Sequence, residues 1–145
     1  MKKLILLSGI VLGLVLALWA AAQSSGFKVI VHQDNPTAGL SAKDVSNLLL
    51  KKKTKWDGSG IAADPIDLDG GSTIREAFSE RVHGRSASSI KSYWQRQIFS
   101  GREVPPPEVR SDAEVIAFVR RTPGAIGYVS SDARLDGVKE LRLVN

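Results

Sequence analysis

The chain of 145 residues carries 20 Lys and Arg against 15 Asp and Glu, a net charge of +5, and it contains no Cys. Without Cys, disulfide bonds and thiolate chemistry are excluded. A basic excess this mild is compatible with small anionic ligands and does not indicate a nucleic-acid-binding protein. The length suits one domain around one hydrophobic core.

The first 22 residues have the composition of a secretory signal peptide. Lys2 and Lys3 precede an apolar run from Leu4 to Ala20, and the small residues at 20–22 supply a cleavage site. We therefore expect a signal peptide at residues 1–22, a mature domain at residues 23–145 and a periplasmic location. The mature chain keeps 18 basic and 15 acidic residues, a net charge of +3. An uncleaved anchor helix is the alternative, because the run approaches the length of a membrane span.

Hydrophobic periodicity and capping residues predict strands that alternate with helices. The predicted elements are a strand at Phe27–His32, a helix at Ser41–Lys52, a strand near Ile66, helices at Ser72–Val82, Ser88–Phe99 and Asp112–Arg121, a strand at Ala125–Val129 and a last strand at 138–144. This alternation predicts a single three-layer α/β domain with a mainly parallel sheet. The side chains that we expect in its core include Trp94, Ile98, Phe118 and Ile126.

Residues with catalytic or metal-binding chemistry are sparse. His32 and His83 have no Cys, Asp or Glu at metal-ligand spacing. A triad of Ser72, His83 and Asp112 lacks the sequence pattern of a nucleophile elbow. The sequence therefore predicts neither an enzyme, nor a metal site, nor a cofactor.

A cluster of four lysines lies between Lys51 and Lys55, next to Trp56. It could hold phosphate groups or an anionic membrane surface. The alternative is the solvated carboxyl end of a helix, where the helix dipole favours cations.

The segment "LDGGSTIREAF", residues 68–78, is the best candidate for a binding site. Two glycines and two hydroxyl residues precede a helix, whose first N–H groups and partial positive charge attract anions. The candidate oxyanion ligands are Gly71, Ser72, Thr73 and Arg75, and we expect the N–H groups from 71 to 75 to open toward solvent. The alternative is a capping box formed by Thr73 and Glu76.

The order of these segments resembles the periplasmic phosphate-binding proteins of ABC transporters. The most specific matching pieces are "TPGAIGYV" at 122–129 and the Lys-Trp-Asp-Gly turn at 55–58, and the similarity covers nearly all of the mature chain. It is similar above all to short members with a single lobe of a type II periplasmic binding protein. The resemblance implies that fold, a phosphate or other small oxyanion as ligand, and an ABC transporter permease as partner.

The loop departs from the family pattern, in which Gly-Ser-Gly-Thr follows an arginine and an aspartate. Here Gly71 and Ser72 keep the first two positions, while Thr73 and Ile74 replace the next two, and Leu68 and Gly70 stand where the charged residues would be. The partner lobe is also absent from this chain. The resemblance therefore implies a weak or degenerate site.

Two functions follow from these observations. The first is a periplasmic solute-binding-like protein that holds an oxyanion weakly, alone or between two copies in a homo-oligomer. The second is a non-enzymatic protein of the cell envelope that has lost ligand binding and docks on a membrane or an envelope protein.

Overall fold

The computed structural model describes residues 26–145. The predicted signal peptide lies outside these residues and stays a prediction. Within the described range, no helix has the length and apolarity needed to cross a bilayer. The elements are β1 (Phe27–His32), β2 (Gly39–Ser41), α1 (Ala42–Leu49), β3 (Asp64–Pro65), β4 (Asp67–Leu68), α2 (Thr73–Phe78) with a π-helical turn (Ser79–His83), α3 (Ala87–Phe99), β5 (Glu108–Val109), α4 (Asp112–Arg121), β6 (Ala125–Ser130) and β7 (Val138–Val144).

The main sheet has five strands in the order β2-β7-β1-β6-β3. β1 runs antiparallel to both β6 and β7, whereas the edge strands β2 and β3 run parallel to their neighbours. β4 and β5 form a separate parallel pair. The prediction of a mainly parallel sheet is therefore wrong. It assumed that consecutive strands become neighbours through crossover helices, but β1 lies between the last two strands of the chain.

Helices cover both faces of this sheet. Residues 29–31 of β1 are all buried, although successive residues of a strand point to opposite faces. On one face, Val115 of α4 packs so closely on Gly127 that a Cβ there would lie 2.8 Å from its methyl group. On the other face, Tyr128 stacks on Phe78 of α2 with ring centroids 3.8 Å apart. The predicted three-layer α/β domain is confirmed.

The helix bounds follow local capping signals. The Ser41 hydroxyl accepts a hydrogen bond from the N–H of Asp44, at 3.1 Å, and starts α1 as predicted. α1 ends at Leu49, earlier than the predicted Lys52, because Lys51 adopts a left-handed backbone conformation with φ of 55°. α4 has the predicted bounds. The predicted helix Ser72–Val82 is divided into α2 and the π-helical turn.

Helix α3 packs on the domain mainly through its first two turns. Ile90 and Trp94 form a small buried cluster with Leu50, which follows α1. The burial predicted for Trp94 is confirmed, as is that of Ile126 in the main core, while Phe118 is half-buried. The burial predicted for Ile98 is wrong, because its side chain is 53% exposed. The periodic pattern runs on to Ile98, but the buried cluster on this face of α3 extends only as far as Trp94.

Candidate functional site

The segment 68–78 contains the end of β4, a turn at residues 69–72 and the helix α2. Side chains added at Gly70 or Gly71 would meet no atom within 4 Å, and neither glycine has a positive φ. Their contribution is therefore open access to the backbone and not an unusual conformation. Ser72 is the N-cap of α2, since its hydroxyl accepts the N–H of Arg75 at 3.2 Å.

The N–H groups of this turn are only partly free. Ser72 donates its own N–H to the carbonyl of Asp69, at 3.1 Å, and the N–H of Arg75 is taken by the cap. The N–H groups of Gly71 and of residues 73–74 make no hydrogen bond with any part of the chain between 26 and 145. Three of the five predicted N–H groups are thus available to a ligand.

The alternative capping box of Thr73 and Glu76 does not form. The carboxylate of Glu76 accepts instead the N–H of Ala87, at 3.1 Å, and so caps the first turn of α3. The cap of α2 is Ser72, one residue before Thr73. Thr73 itself is exposed.

The side chain of Arg75 points into the domain. It is only 5% exposed, and its Nη1 donates to the carbonyl of Leu68 at 2.7 Å and to Glu108 at 2.8 Å. Its Nη2 lies 3.5 Å from Asp67. The guanidinium therefore ties β4, β5 and α2 together under the turn. Its charge is largely offset by two carboxylates before any ligand arrives, and its role as an oxyanion ligand stays a prediction.

Asp67 is the most buried carboxylate of this network. It accepts hydrogen bonds from the Tyr128 hydroxyl and from the N–H of Leu68. Burial raises the pKa of Asp67, although the charge of Arg75 acts in the opposite direction. Burial also raises the pKa of Tyr128, so the phenol stays protonated and donates. Burial disfavours the charge of Arg75, but its carboxylate partners more than compensate, and its pKa is raised.

Sequence reasoning missed Asp67, Glu108 and Tyr128. The one local signal was an acidic residue inside the otherwise buried stretch "PIDL", where an ionised side chain needs a partner. That partner could not be chosen from the sequence. Glu108 and Tyr128 meet Arg75 and Asp67 only through pairings that join distant segments.

An open cleft of about 480 Å³ lies beside the turn, between the starts of α2 and α3. It is lined by Gly70, Arg75, Glu76, Ala87, Ser88, Lys91 and Glu108. Two cationic and two anionic side chains face it, so the cleft has no strong charge of either sign. Such a cleft can admit a small hydrated ion to the turn but does not enclose one.

The other residues considered in the sequence have structural partners. His83 shares a 2.7 Å hydrogen bond with the Ser46 hydroxyl, and burial, followed by nearby cations, lowers its pKa to about 4. Asp112 accepts the N–H and hydroxyl of Ser130, so no hydrogen bond joins it to His83 or Ser72. Between residues 26 and 145, no three His, Cys, Asp or Glu side chains are placed to hold a metal ion.

No known protein-family profile matches this sequence, and no curated protein matches it either. Solved structures do match, and they define the class of fold. They are substrate-binding proteins of phosphate ABC transporters, so the predicted resemblance is confirmed at the level of the fold.

Three of these structures show how far the likeness goes. A protein of Clostridium perfringens, assigned as a phosphate ABC transporter substrate-binding protein and containing bound phosphate, has a TM-score of 0.66 and 23% identity over 81% of this chain and 44% of its own. An ABC-type phosphate transport receptor from Vibrio cholerae has a TM-score of 0.61 and 19% identity, and the match covers 81% of this chain and 46% of the receptor. A candidate phosphate-binding protein from Planctomyces limnophilus has a TM-score of 0.62 and 15% identity, and the match covers 83% of this chain and 42% of that protein. The chain thus spans less than half the length of these proteins.

Proposed function

We propose that the protein is a periplasmic solute-binding-like protein that holds phosphate or a similar small oxyanion weakly at the turn Asp69–Thr73. The observation that carries the proposal is the coincidence of two features. The chain has the fold of phosphate-binding proteins, and its glycine-rich turn presents free N–H groups beside an open cleft. The proposed activity is binding and not catalysis.

The proposed ligand contacts are the N–H groups of Gly71, Thr73 and Ile74 and the hydroxyl of Ser72. The Ser72 oxygen accepts the N–H of Arg75, which leaves its hydrogen free to donate to an anion. Ser72 is the only hydroxyl that we place against the ligand, and Thr73 contributes its backbone N–H. Arg75 adds long-range attraction, which its paired carboxylates reduce.

The affinity should be low because the turn supplies only one side of a binding site. A phosphate held there keeps most of its oxygen atoms in water, and water competes with each exposed hydrogen bond. We expect a Kd near 1 mM, a binding free energy of about 4 kcal/mol. Tighter binding would need the second half of the site from another copy of the chain or from another protein.

The proposal extends to location and partners. The signal peptide predicted at residues 1–22 would direct the protein to the periplasm. An ABC transporter permease or another envelope protein is the proposed macromolecular partner, and nucleic acid is not. A homo-oligomer would be the simplest source of a second lobe.

Nuclear magnetic resonance of the ¹⁵N-labelled mature protein tests the proposal. Phosphate is titrated at constant ionic strength, with chloride as the reference anion. We expect saturable shifts of the amide signals of residues 70–74, with a midpoint near 1 mM as estimated above. Ser72→Ala should remove these shifts and also lower stability by about 1 kcal/mol through loss of the N-cap.

Ser111→Ala is the matched control, because Ser111 is the N-cap of α4 and its hydroxyl accepts an N–H in the same way. This variant should lose similar stability and keep the phosphate shifts. Thr73→Gly combined with Ile74→Thr restores the family pattern and should strengthen binding. The proposal fails if phosphate causes no localised amide shifts in either the wild type or the Thr73→Gly, Ile74→Thr variant. It also fails if the wild-type monomer binds phosphate with a micromolar Kd.

A further inference from the structure

The far end of α3 and the turn after it expose three large apolar side chains. Phe99 is 92% exposed, Ile98 53% and Val104 59%, and these three residues are called the α3 tip below. The tip has a defined conformation. Gly101 adopts a left-handed φ of 67°, and hydrogen bonds from its N–H and the next one close the turn on Ile98 and Gln97. A nearly fully hydrated Phe held in this way exposes apolar surface that a partner could cover.

Basic side chains lie along α3 and beside the α3 tip. The ammonium of Lys51 lies 3.7 Å from the carboxylate of Glu103, which precedes Val104, and the ammonium of Lys52 lies 5.7 Å from the ring centre of Tyr93. The lysine cluster that follows α1 therefore contacts α3 and the turn after it. Residues 51–57 and 91–104, called the basic rim below, carry seven basic and two acidic side chains, a net charge of +5. The remainder of the described chain has 11 basic and 13 acidic residues, a net charge of −2.

We propose that the α3 tip and the basic rim dock on the surface of an anionic lipid bilayer. In this arrangement the tip enters the boundary between headgroups and acyl chains, while the Lys and Arg side chains bind lipid phosphates. Charge selects this occupant. A second copy placed tip to tip would oppose two surfaces of net charge +5, and three apolar side chains are too few for a stable dimer interface.

This docking would leave the turn at residues 69–73 open, although Lys91 of the basic rim also lines the cleft beside that turn. The turn lies at the amino-terminal end of α3, where the carboxylate of Glu76 accepts the N–H of Ala87. The α3 tip lies at the carboxyl-terminal end. A helix of 13 residues is roughly 20 Å long. The membrane proposal therefore does not rest on phosphate binding, and either can fail alone.

The experiment uses the protein purified from cells after export, with its N-terminus checked by mass spectrometry. It is mixed with vesicles of phosphatidylglycerol and phosphatidylethanolamine, or of phosphatidylcholine alone, and sedimented. We expect binding to the anionic vesicles only, weakened at 0.5 M salt because salt screens the charges. Phe99→Ala should reduce the partition coefficient by about tenfold or more. Arg96→Gln with Arg102→Gln should reduce it by about fivefold for each charge.

Matched controls change the same side-chain types elsewhere. Val144→Ala alters an apolar residue that is 44% exposed at the end of β7, and Arg81→Gln with Arg134→Gln removes two exposed charges outside the basic rim. Both controls should bind like the wild type. A Phe99→Trp variant gives a direct signal, because its emission should shift to the blue with anionic vesicles and not with phosphatidylcholine.

Four results would overturn the proposal. The first is the absence of binding to anionic vesicles, and the second is equal binding to both vesicle types. The third is binding that the tip and rim variants leave unchanged. The fourth is a dimer in sedimentation velocity that Phe99→Ala dissociates, because the tip would then be covered by a second copy. Circular dichroism spectra and melting temperatures should be unchanged for all variants, since every substituted residue is exposed.

Discussion

Replacing Arg75 by Met should destabilise the domain through the carboxylate that it leaves behind. Arg75 is 5% exposed and holds Asp67 in a buried ion pair. Breaking such a pair from one side costs about 3–5 kcal/mol, mostly because the remaining charge is buried alone. Glu108 is 45% exposed on its side chain and can turn to water, so it adds little. We therefore expect a loss near the lower end, about 3 kcal/mol.

The source of this loss can be isolated with a second substitution. Asp67→Asn removes the buried charge but keeps an oxygen that can accept from Tyr128 and Leu68. The double variant Asp67→Asn, Arg75→Met should then be more stable than the sum of the two single losses predicts, by about 2 kcal/mol. Urea unfolding at pH 7.5 measures all four proteins through the fluorescence of the buried Trp56 and Trp94. Additive losses would refute the ion-pair argument.

The same variant should have a distinctive pH dependence. Burial already raises the folded-state pKa of Asp67, and removal of Arg75 should raise it further. A carboxyl with a raised folded-state pKa contributes stability at low pH, and that contribution is lost as the pH rises through this pKa. The loss caused by Arg75→Met should therefore shrink on acidification. Arg81→Met, at an exposed position in the π-helical turn, is the control and should cost under about 0.5 kcal/mol. A loss that grows on acidification would contradict the mechanism.

Further predictions concern the core, the turns and the N-terminus. The folded-state pKa of His83 is lowered to about 4, so the unfolded chain binds more protons than the folded chain below pH 6.5. The free energy of unfolding should therefore fall by up to about 3 kcal/mol from pH 6.5 to 4. His83→Gln should flatten this part of the pH profile measured by urea unfolding. Trp94→Ala should lower the free energy of unfolding in urea by about 3–5 kcal/mol, and a loss below about 1 kcal/mol would contradict the burial of Trp94. Gly124→Ala should prevent stable folding, because its Cβ would lie 1.9 Å from a backbone oxygen, whereas Gly70→Ala should melt like the wild type. N-terminal sequencing of exported protein should begin at or near Gln23, and a start at Met1 in the membrane fraction would contradict the signal peptide.

The sequence predicted those parts of the fold that local signals determine. α4 has the predicted bounds because Ser111 starts it with a side-chain cap and Pro123 follows its end. β1 was recognised from three contiguous β-branched residues. The direction of the strands was not predictable in this way, because the antiparallel partners of β1 come from residues more than 90 positions away. Such pairings depend on the packing of the whole chain.

The candidate site shows the same division between local and distant information. The N-cap at Ser72 is encoded by its immediate neighbours, and the sequence correctly indicated a helix start there. The direction of Arg75 was decided by Asp67 and Glu108, one of which is 33 residues away. Likewise, Ile98 fits the apolar period of α3 but is exposed, because nothing in α3 itself indicates how far the buried cluster around Trp94 extends.

The place of β1 in the sheet has a consequence for how the chain folds. β1 is the first described strand, yet its partners β6 and β7 are the last two. The central three strands therefore cannot assemble until residues as far as 144 have been synthesised. Contacts with such large sequence separation slow folding. Under the proposed export, a nascent chain of this kind would remain unfolded long enough to be threaded through a secretion channel, and it would complete its sheet only after β7 has emerged on the other side.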